Sequence, residues 1–357
     1  MSVSTSQPSR TGTGPIRVGI IGYGLSAKVF HIPFLRTLPE YRLQAICSSR
    51  TAEINEALPG IKVIEAPSDL CADDDIDLIV ITSPNSSHFN LAHMALQHYK
   101  HVVVEKPFTT YSGQALELAE YADQQHCCIS AFHNRRWDGD FLTACQLMES
   151  GRLGNVHVFE SRFDRFRPEV RQRWREQPGE GTGYLWDLAP HLIDQALALF
   201  GMPHSLTARS LPLRPGATTC DYVHLQLHYP QREVILNASP YMAAKPALRF
   251  LIQGDAGSYI KYGLDPQEER LTAGIQPAEP GWNKEDEHHW GVLFDSNGKA
   301  EHVSTQPGDY GIYYSKLAKH IRGHGPNPVT ATDAAQVIRL IELAELSQTQ
   351  QSTLELA

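Results

Sequence analysis

A chain of 357 residues with 41% hydrophobic and 20% charged residues has the composition of a globular protein in water and the length for two domains. Its net charge of −9 and pI near 6.0 exclude a global basic field, which points away from nucleic acid and membranes and towards a small-molecule ligand. Six cysteines, two of them adjacent at Cys127 and Cys128 and none in a C-x-x-C pair, argue against a disulfide framework or a zinc site, and no segment approaches the roughly 20 apolar residues of a membrane span. The cytoplasm is the expected location.

The opening residues 1–15, MSVSTSQPSRTGTGP, have neither an apolar h-region nor a twin arginine and are expected to form a disordered leader. From Ile16 the apolar runs IRVGII, LQAICSS, IDLIVITSP, HVVVEKP and CCISAF alternate with segments such as Ser86 to Tyr99 and Ser112 to Gln125 that carry apolar residues at helical spacing. Strands alternating with helices predict βαβ units and a doubly wound parallel sheet of Rossmann type over residues 16–135. After Asn134 the pattern predicts a helix over Asp138 to Ser150, a strand over Val156 to Phe163 and a helix over Asp187 to Phe200. The runs VHLQLHY, EVILNAS, LRFLIQG, SYIKYG and GVLFD then read as a large, open, mostly antiparallel sheet, because short connections cannot make parallel crossovers. Residues 136–357 are thus expected to form an α+β domain. Its final helix, roughly Ala331 to Ser347, closes the chain, and the C-terminal helices can pack back on the first domain.

The first run ends in Gly22-Tyr23-Gly24-Leu25-Ser26-Ala27, a G-x-G-x-x-A fingerprint between a strand and a helical segment. Two glycines permit a tight turn and close approach of backbone to a pyrophosphate, Ala27 lets helix pack on strand, and the helix start supplies the positive dipole end. A site for NAD would place Asp or Glu at the end of the second strand to bind the ribose hydroxyls. Here that strand ends Cys47-Ser48-Ser49-Arg50, with no acid to repel a 2′-phosphate and with two hydroxyls and a guanidinium suited to bind one. NADP is the expected cofactor; the alternative is that Arg50 is a solvated loop residue and NAD also binds.

With Glu105-Lys106-Pro107-Phe108 the sequence strongly resembles the Gfo/Idh/MocA family of oxidoreductases. The resemblance runs from Ile16 to the end through GYGLSAKVFHIP, TSPNSSH, HVVVEKPF, FHNRRWDGDF, WREQPGEGTGYLWDLAPHLIDQ and KYGLDPQEER. Within the family it is similar to the subgroup that contains the NADP-dependent scyllo-inositol dehydrogenases. The resemblance implies that Lys106 lies beside the nicotinamide and the substrate hydroxyl, that the Lys106-Pro107 bond is often cis, that His191 is the acid/base and that Asp187 assists it. It places Arg165 with Lys106, Asp187 and His191 against substrate. Thr82, Ser83, Pro84, Asn85 and His88 would line the nicotinamide side, with Glu105, Asn134, Arg135 and Trp174 also in the cofactor set. A homodimer or homotetramer is implied as well, through the open sheet face.

The residues themselves are compatible with these roles. A lysine at the C-terminal end of a parallel strand lies at the rim where doubly wound sheets bind ligands, and an imidazole's ordinary pKa lies near working pH. Asp187 and His191, four residues apart, would project from one helical face; the plainer alternative is that Asp187 caps the helix, with Pro190 in its first turn. The run Arg162 to Arg175, interleaved with Phe163, Phe166 and Trp174, superficially suits single-stranded nucleic acid, but Asp164, Glu169 and Glu176 interrupt it. Internal ion pairing or a polar pocket wall is the better expectation. Seventeen histidines, His288-His289 included, form no metal motif, and no metal is expected. The activity expected is hydride transfer between nicotinamide and a hydroxyl or carbonyl of a cyclic polyol or sugar. The rivals are a dehydrogenase of another sugar and a non-catalytic dinucleotide-binding regulator.

Overall fold

The computed structural model describes residues 14–356, so the expected leader lies almost wholly outside the described residues. Six parallel strands, β1 (Ile16–Ile21), β2 (Tyr41–Cys47), β3 (Lys62–Ile64), β4 (Leu78–Ile81), β5 (His101–Val104) and β6 (Ile129–Ala131), form a sheet in the order β3-β2-β1-β4-β5-β6. Strand β4 and, after His101, strand β5 are apolar because helices cover both faces; Leu78 to Ile81 and Val102 to Val104 are fully buried. The register pairs Ile21 with Cys47, Ile21 with Ile81 and Ile81 with Val104. The residues that follow, Gly22, Ser48, Thr82 and Glu105, therefore emerge side by side at one edge. That edge, where the strand order reverses between β1 and β4, is where doubly wound sheets bind ligands.

The second sheet has nine strands, β7 (Val156–Arg162), β8 (Ser205–Leu211), β9 (Tyr222–Tyr229), β10 (Arg232–Ala238), β11 (Leu248–Gly254), β12 (Gly257–Tyr262), β13 (Gly291–Asp295), β14 (Ala300–Val303) and β15 (Leu354–Glu355), ordered β14-β13-β12-β11-β7-β10-β9-β8-β15. It is antiparallel except at one place. β10 and β11 follow one another in sequence but do not pair; β7 lies between them, parallel to β10 and antiparallel to β11. The short-connection rule fails there because β10's neighbour comes from far upstream, through a long connection. The final helix, Ala331–Gln350, does not end the chain either, since β15 follows it and pairs with β8.

Two cores flank these sheets. The first contains Trp137 and also takes in Tyr310, Tyr313, Tyr314 and Leu317 from the C-terminal region, while the second begins at Phe141. Helix Ala331–Gln350 serves both: Ala334 and Ala335 face the first core, and Val337, Ile338 and Ile341 face the second. A capping box fixes its start, with Thr330 accepting from the Asp333 amide. No helix among the described residues is long and apolar enough to cross a membrane.

Candidate active site and cofactor cleft

The loop after β1 fits a dinucleotide backbone. Gly22 has φ +106°, and a Cβ there would sit 2.7 Å from the Thr82 hydroxyl oxygen, so only glycine lets β1 leave its strand this close to β4. A Cβ on Gly24, in contrast, would meet nothing within 4 Å, leaving that side open for a phosphate group. Ala27 is fully buried under the helical segment, as helix-on-strand packing requires. Ser26 departs from expectation: its hydroxyl donates to Glu105, so its backbone amide is what remains for a phosphate.

At the end of β2, Ser48 accepts a hydrogen bond from the Arg50 amide (3.2 Å), and the Arg50 guanidinium donates to the Tyr23 carbonyl (3.3 Å). Ser49 and Arg50 are exposed, as is Leu25, while Tyr23 is buried. Sequence reasoning missed Lys28, whose ammonium lies 4.6 Å from the Tyr23 ring centroid and pairs with Glu53. Glu53 also lies 3.7 Å from Arg50, so this corner holds two cations around one exposed carboxylate. Lys28 follows the fingerprint directly, a position that could have flagged it.

The candidate reacting end lies at β5. The Lys106-Pro107 peptide is cis, and the Lys106 ammonium donates to Asp187 twice, to Oδ1 at 2.8 Å and to the backbone carbonyl at 2.6 Å. An ammonium has three donors, so one remains. Burial would raise the Asp187 pKa, but Lys106 and Arg175, whose Nε is 3.4 Å from Oδ1, hold it well below the usual carboxylate range. The Asp187 carboxylate is 28% exposed and so shares the cleft's solvent.

His191 is not on one continuous helix with Asp187. The short helix Tyr184–Asp187 ends at Leu188 (φ −108°), and a second helix, Ala189–Phe200, starts with Pro190 in its first turn. Asp187 therefore does not cap that helix with its side chain; its carboxylate turns to Lys106 instead. Gly183 launches the short helix at φ +80°, where a Cβ would meet the Cys220 carbonyl at 2.8 Å. Beneath His191, buried Arg249 bonds Asp140, Ser161 and Gln195, and Gln195 donates to the Arg135 carbonyl, which pins the second helix to the sheet.

The His191 ring packs edge-on against Phe163 at 6.2 Å. Its Nδ1 is buried with no partner among the described residues, which leaves Nε2 as the nitrogen open to the cleft. Burial pushes its pKa well below 6.5, and the cations of Lys106 and Arg135 push the same way. A neutral imidazole beside an ammonium is a base next to a donor.

Other predicted residues serve as struts. Thr82 donates to the Ile21 carbonyl (3.1 Å), Ser83 bonds Ser87 (2.6 Å), and Pro84 offers its carbonyl to Ser87. Asn85 donates to the Gly181 carbonyl, and buried His88 has one ring nitrogen 2.9 Å from the Pro107 carbonyl and the other 2.9 Å from that of Ser83. Asn134 is buried; Arg135 pairs with Asp138 (3.3 Å) and Glu268. Arg165 is half-buried and anchored by its amide to the Ser239 carbonyl, and Trp174 is 45% exposed, with the Arg175 guanidinium 4.9 Å from its ring centroid. In the arginine run, Arg162 pairs with Glu160 and Asp164, and Arg175 with Asp187. Arg175 and Glu268 were not singled out from sequence, although both sit in motifs that carry the resemblance.

Comparison with known proteins agrees with this architecture. Residues 16–133 match the oxidoreductase family's NAD-binding Rossmann fold, and residues 146–356 match that family's C-terminal alpha/beta domain. The uncharacterized oxidoreductase YdgJ of Escherichia coli K12 is 48% identical over 96% of this chain and 99% of its own. The scyllo-inositol 2-dehydrogenase (NADP(+)) IolW of Bacillus subtilis is 40% identical, covering 96% of each chain. The solved yvaA structure from Bacillus subtilis superposes with a TM-score of 0.94 at 39% identity, over 97% of this chain and 99% of that one. With both of its sheets matched and with full-length relatives, the chain belongs to the Gfo/Idh/MocA family of oxidoreductases and carries that family's nicotinamide-dinucleotide domain.

Proposed function

We propose that this oxidoreductase uses NADP and interconverts a hydroxyl and a carbonyl on a cyclic polyol or sugar, with scyllo-inositol first among substrates. The observation that carries the reading is the meeting of Lys106 and Asp187 at 2.8 Å beside the neutral, buried His191, at the strand edge next to the phosphate loop. A non-catalytic dinucleotide sensor would have no use for that set. The likeness to IolW, named for scyllo-inositol and NADP(+), supports the choice of substrate and cofactor.

When bound, the nicotinamide accepts or returns the hydride. The remaining N–H of Lys106 donates to the substrate oxygen, stabilising the charge that develops as the hydroxyl is oxidised. His191 takes the hydroxyl proton at Nε2. Asp187, with Arg175 behind it, holds the ammonium in place. At the other end, Arg50 with Ser48 and Ser49 would bind the 2′-phosphate, with Lys28 as a second cation that sequence reasoning did not include.

The test is turnover with a panel of inositols, aldoses and ketoses, using NADP+ and NAD+ for oxidation and the reduced forms for the reverse. Highest kcat/KM for scyllo-inositol with NADP+ is expected. Preference for an open-chain aldose, or for NAD+, would overturn the corresponding half of the proposal.

A further inference from the structure

Directly after the phosphate loop, the segment Ala27–His31 winds as a π-turn in which the Ile32 amide donates to the Ala27 carbonyl. Such widened turns insert a residue and redirect a side chain, and they are frequent at functional sites. Here the redirected side chain is His31, fully buried at the junction with helix Ile32–Thr37, whose first turn contains Pro33. Its Nε2 lies 3.0 Å from Glu105 Oε1 and its Nδ1 lies 2.5 Å from the hydroxyl of Tyr314, on helix Gly311–Ile321.

The donor and acceptor roles follow from the partners. Burial raises the Glu105 carboxyl, but the hydrogen bonds from His31 and Ser26, together with the electrostatic pull of His31 and Lys106, outweigh it and hold the group ionised, at about 2. A carboxylate only accepts, so His31 Nε2 carries a proton and donates. Burial keeps the Tyr314 phenol protonated, which suits it to donate to Nδ1. The same carboxylate accepts from the Ser26 hydroxyl and, through Oε2, from the Lys106 amide at 2.9 Å. One carboxylate thereby ties the phosphate loop to the backbone of the lysine that follows it.

We propose that His31 is a positioning residue of the active site: by orienting Glu105 it locks Ser26 and the Lys106 backbone into one unit, so that seating of the dinucleotide and alignment of Lys106 depend on the same hydrogen bonds. The inference rests on Lys106 as the group that polarises the substrate oxygen. A histidine that only filled the core would affect melting temperature and leave turnover per folded molecule alone.

The experiment compares wild type with His31→Phe, His31→Gln and Tyr314→Phe, measuring kcat, substrate KM, Tm and the Kd for NADPH by quenching of protein fluorescence. His31→Phe keeps an aromatic ring but loses the donor. Its kcat is expected to fall about tenfold and its NADPH Kd to rise about tenfold, the effect of one hydrogen bond to a charged group, with substrate KM nearly unchanged. His31→Gln, whose amide can donate to Glu105, should recover most of both. Tyr314→Phe should show a smaller loss in both. Wild-type kcat and Kd in folded His31→Phe, or a glutamine no better than phenylalanine, would overturn the proposal. If His31→Phe does not fold, unchanged kcat and Kd in both His31→Gln and Tyr314→Phe, with no difference between them, do the same. The Kd arm needs no substrate: a wrong polyol assignment shows as absent wild-type turnover and leaves the binding comparison decisive.

Discussion

At the β5 end of the cleft, the Lys106 side chain is 12% exposed and His191 is 7% exposed, and Lys106 and Asp187 share two short hydrogen bonds. At the β2 end the Arg50 side chain is 56% exposed, with a single 3.3 Å hydrogen bond and a 3.7 Å ion pair. The contrast separates two tasks. Chemistry on a substrate oxygen needs groups held within a few tenths of an ångström in a medium that does not screen them. On the proposed function, telling one dinucleotide from another needs only a charge where a phosphate arrives, which an exposed arginine would supply while remaining sensitive to salt.

The largest effects should come from the buried end. Lys106→Ala and His191→Ala should each lower kcat by roughly 10²–10⁴-fold while leaving the Kd for NADPH near wild type. Steady-state kinetics beside a binding titration check this, and near-wild-type turnover in either variant breaks that residue's assignment. The exposed end should respond more weakly and only to one cofactor. Arg50→Ala should reduce kcat/KM for NADP+ roughly ten- to a hundredfold and spare NAD+. Ser49→Asp, which adds a ribose acceptor and a repulsive charge, should shift the preference further towards NAD+. Equal losses for both cofactors would show that Arg50 acts on something other than the 2′-phosphate.

Between the two lies Arg175, half-buried and 3.4 Å from Asp187. Arg175→Ala should cost about two- to fivefold in kcat/KM, the scale of a partly solvated ion pair, with the loss shrinking at high salt. The smallest effect is a predicted absence of change. The His191 pKa is lowered, so the neutral base persists as pH falls through 6.5, and kcat/KM for oxidation should hold there and fail only at lower pH. An acid limb at or above 6.5 would show that the catalytic base is not in this environment.

The fold was legible where the signal was local. Fully buried strands such as Leu78–Ile81 read as unbroken apolar runs, and the glycines of the phosphate loop mark the first turn. The partnership of β7 with β10 and β11 was not, because parallel pairing across a long connection leaves no trace in the strand's own residues. Nor was the break at Leu188, since Pro190 is tolerated in a first turn and the apolar spacing runs on through it. Lys106 and His191 could be named from motif position, whereas His31 could not: a histidine in a helical segment looks ordinary until a π-turn buries it against Glu105. Lys28 and Arg175 are visible only once the chain brings Tyr23 and Asp187 beside them.

That the two ends work independently can be measured with a double-mutant cycle. The strand order β2-β1-β4-β5 places three inter-strand steps between Arg50 and Lys106, roughly 14 Å at about 4.8 Å per step. The quantity is kcat/KM with NADP+ for wild type, Arg50→Ala, Lys106→Ala and the double variant. Independence predicts that the two losses add to within about 0.5 kcal/mol. A coupling energy above about 1 kcal/mol would contradict it, and would mean that the 2′-phosphate contact helps to align Lys106.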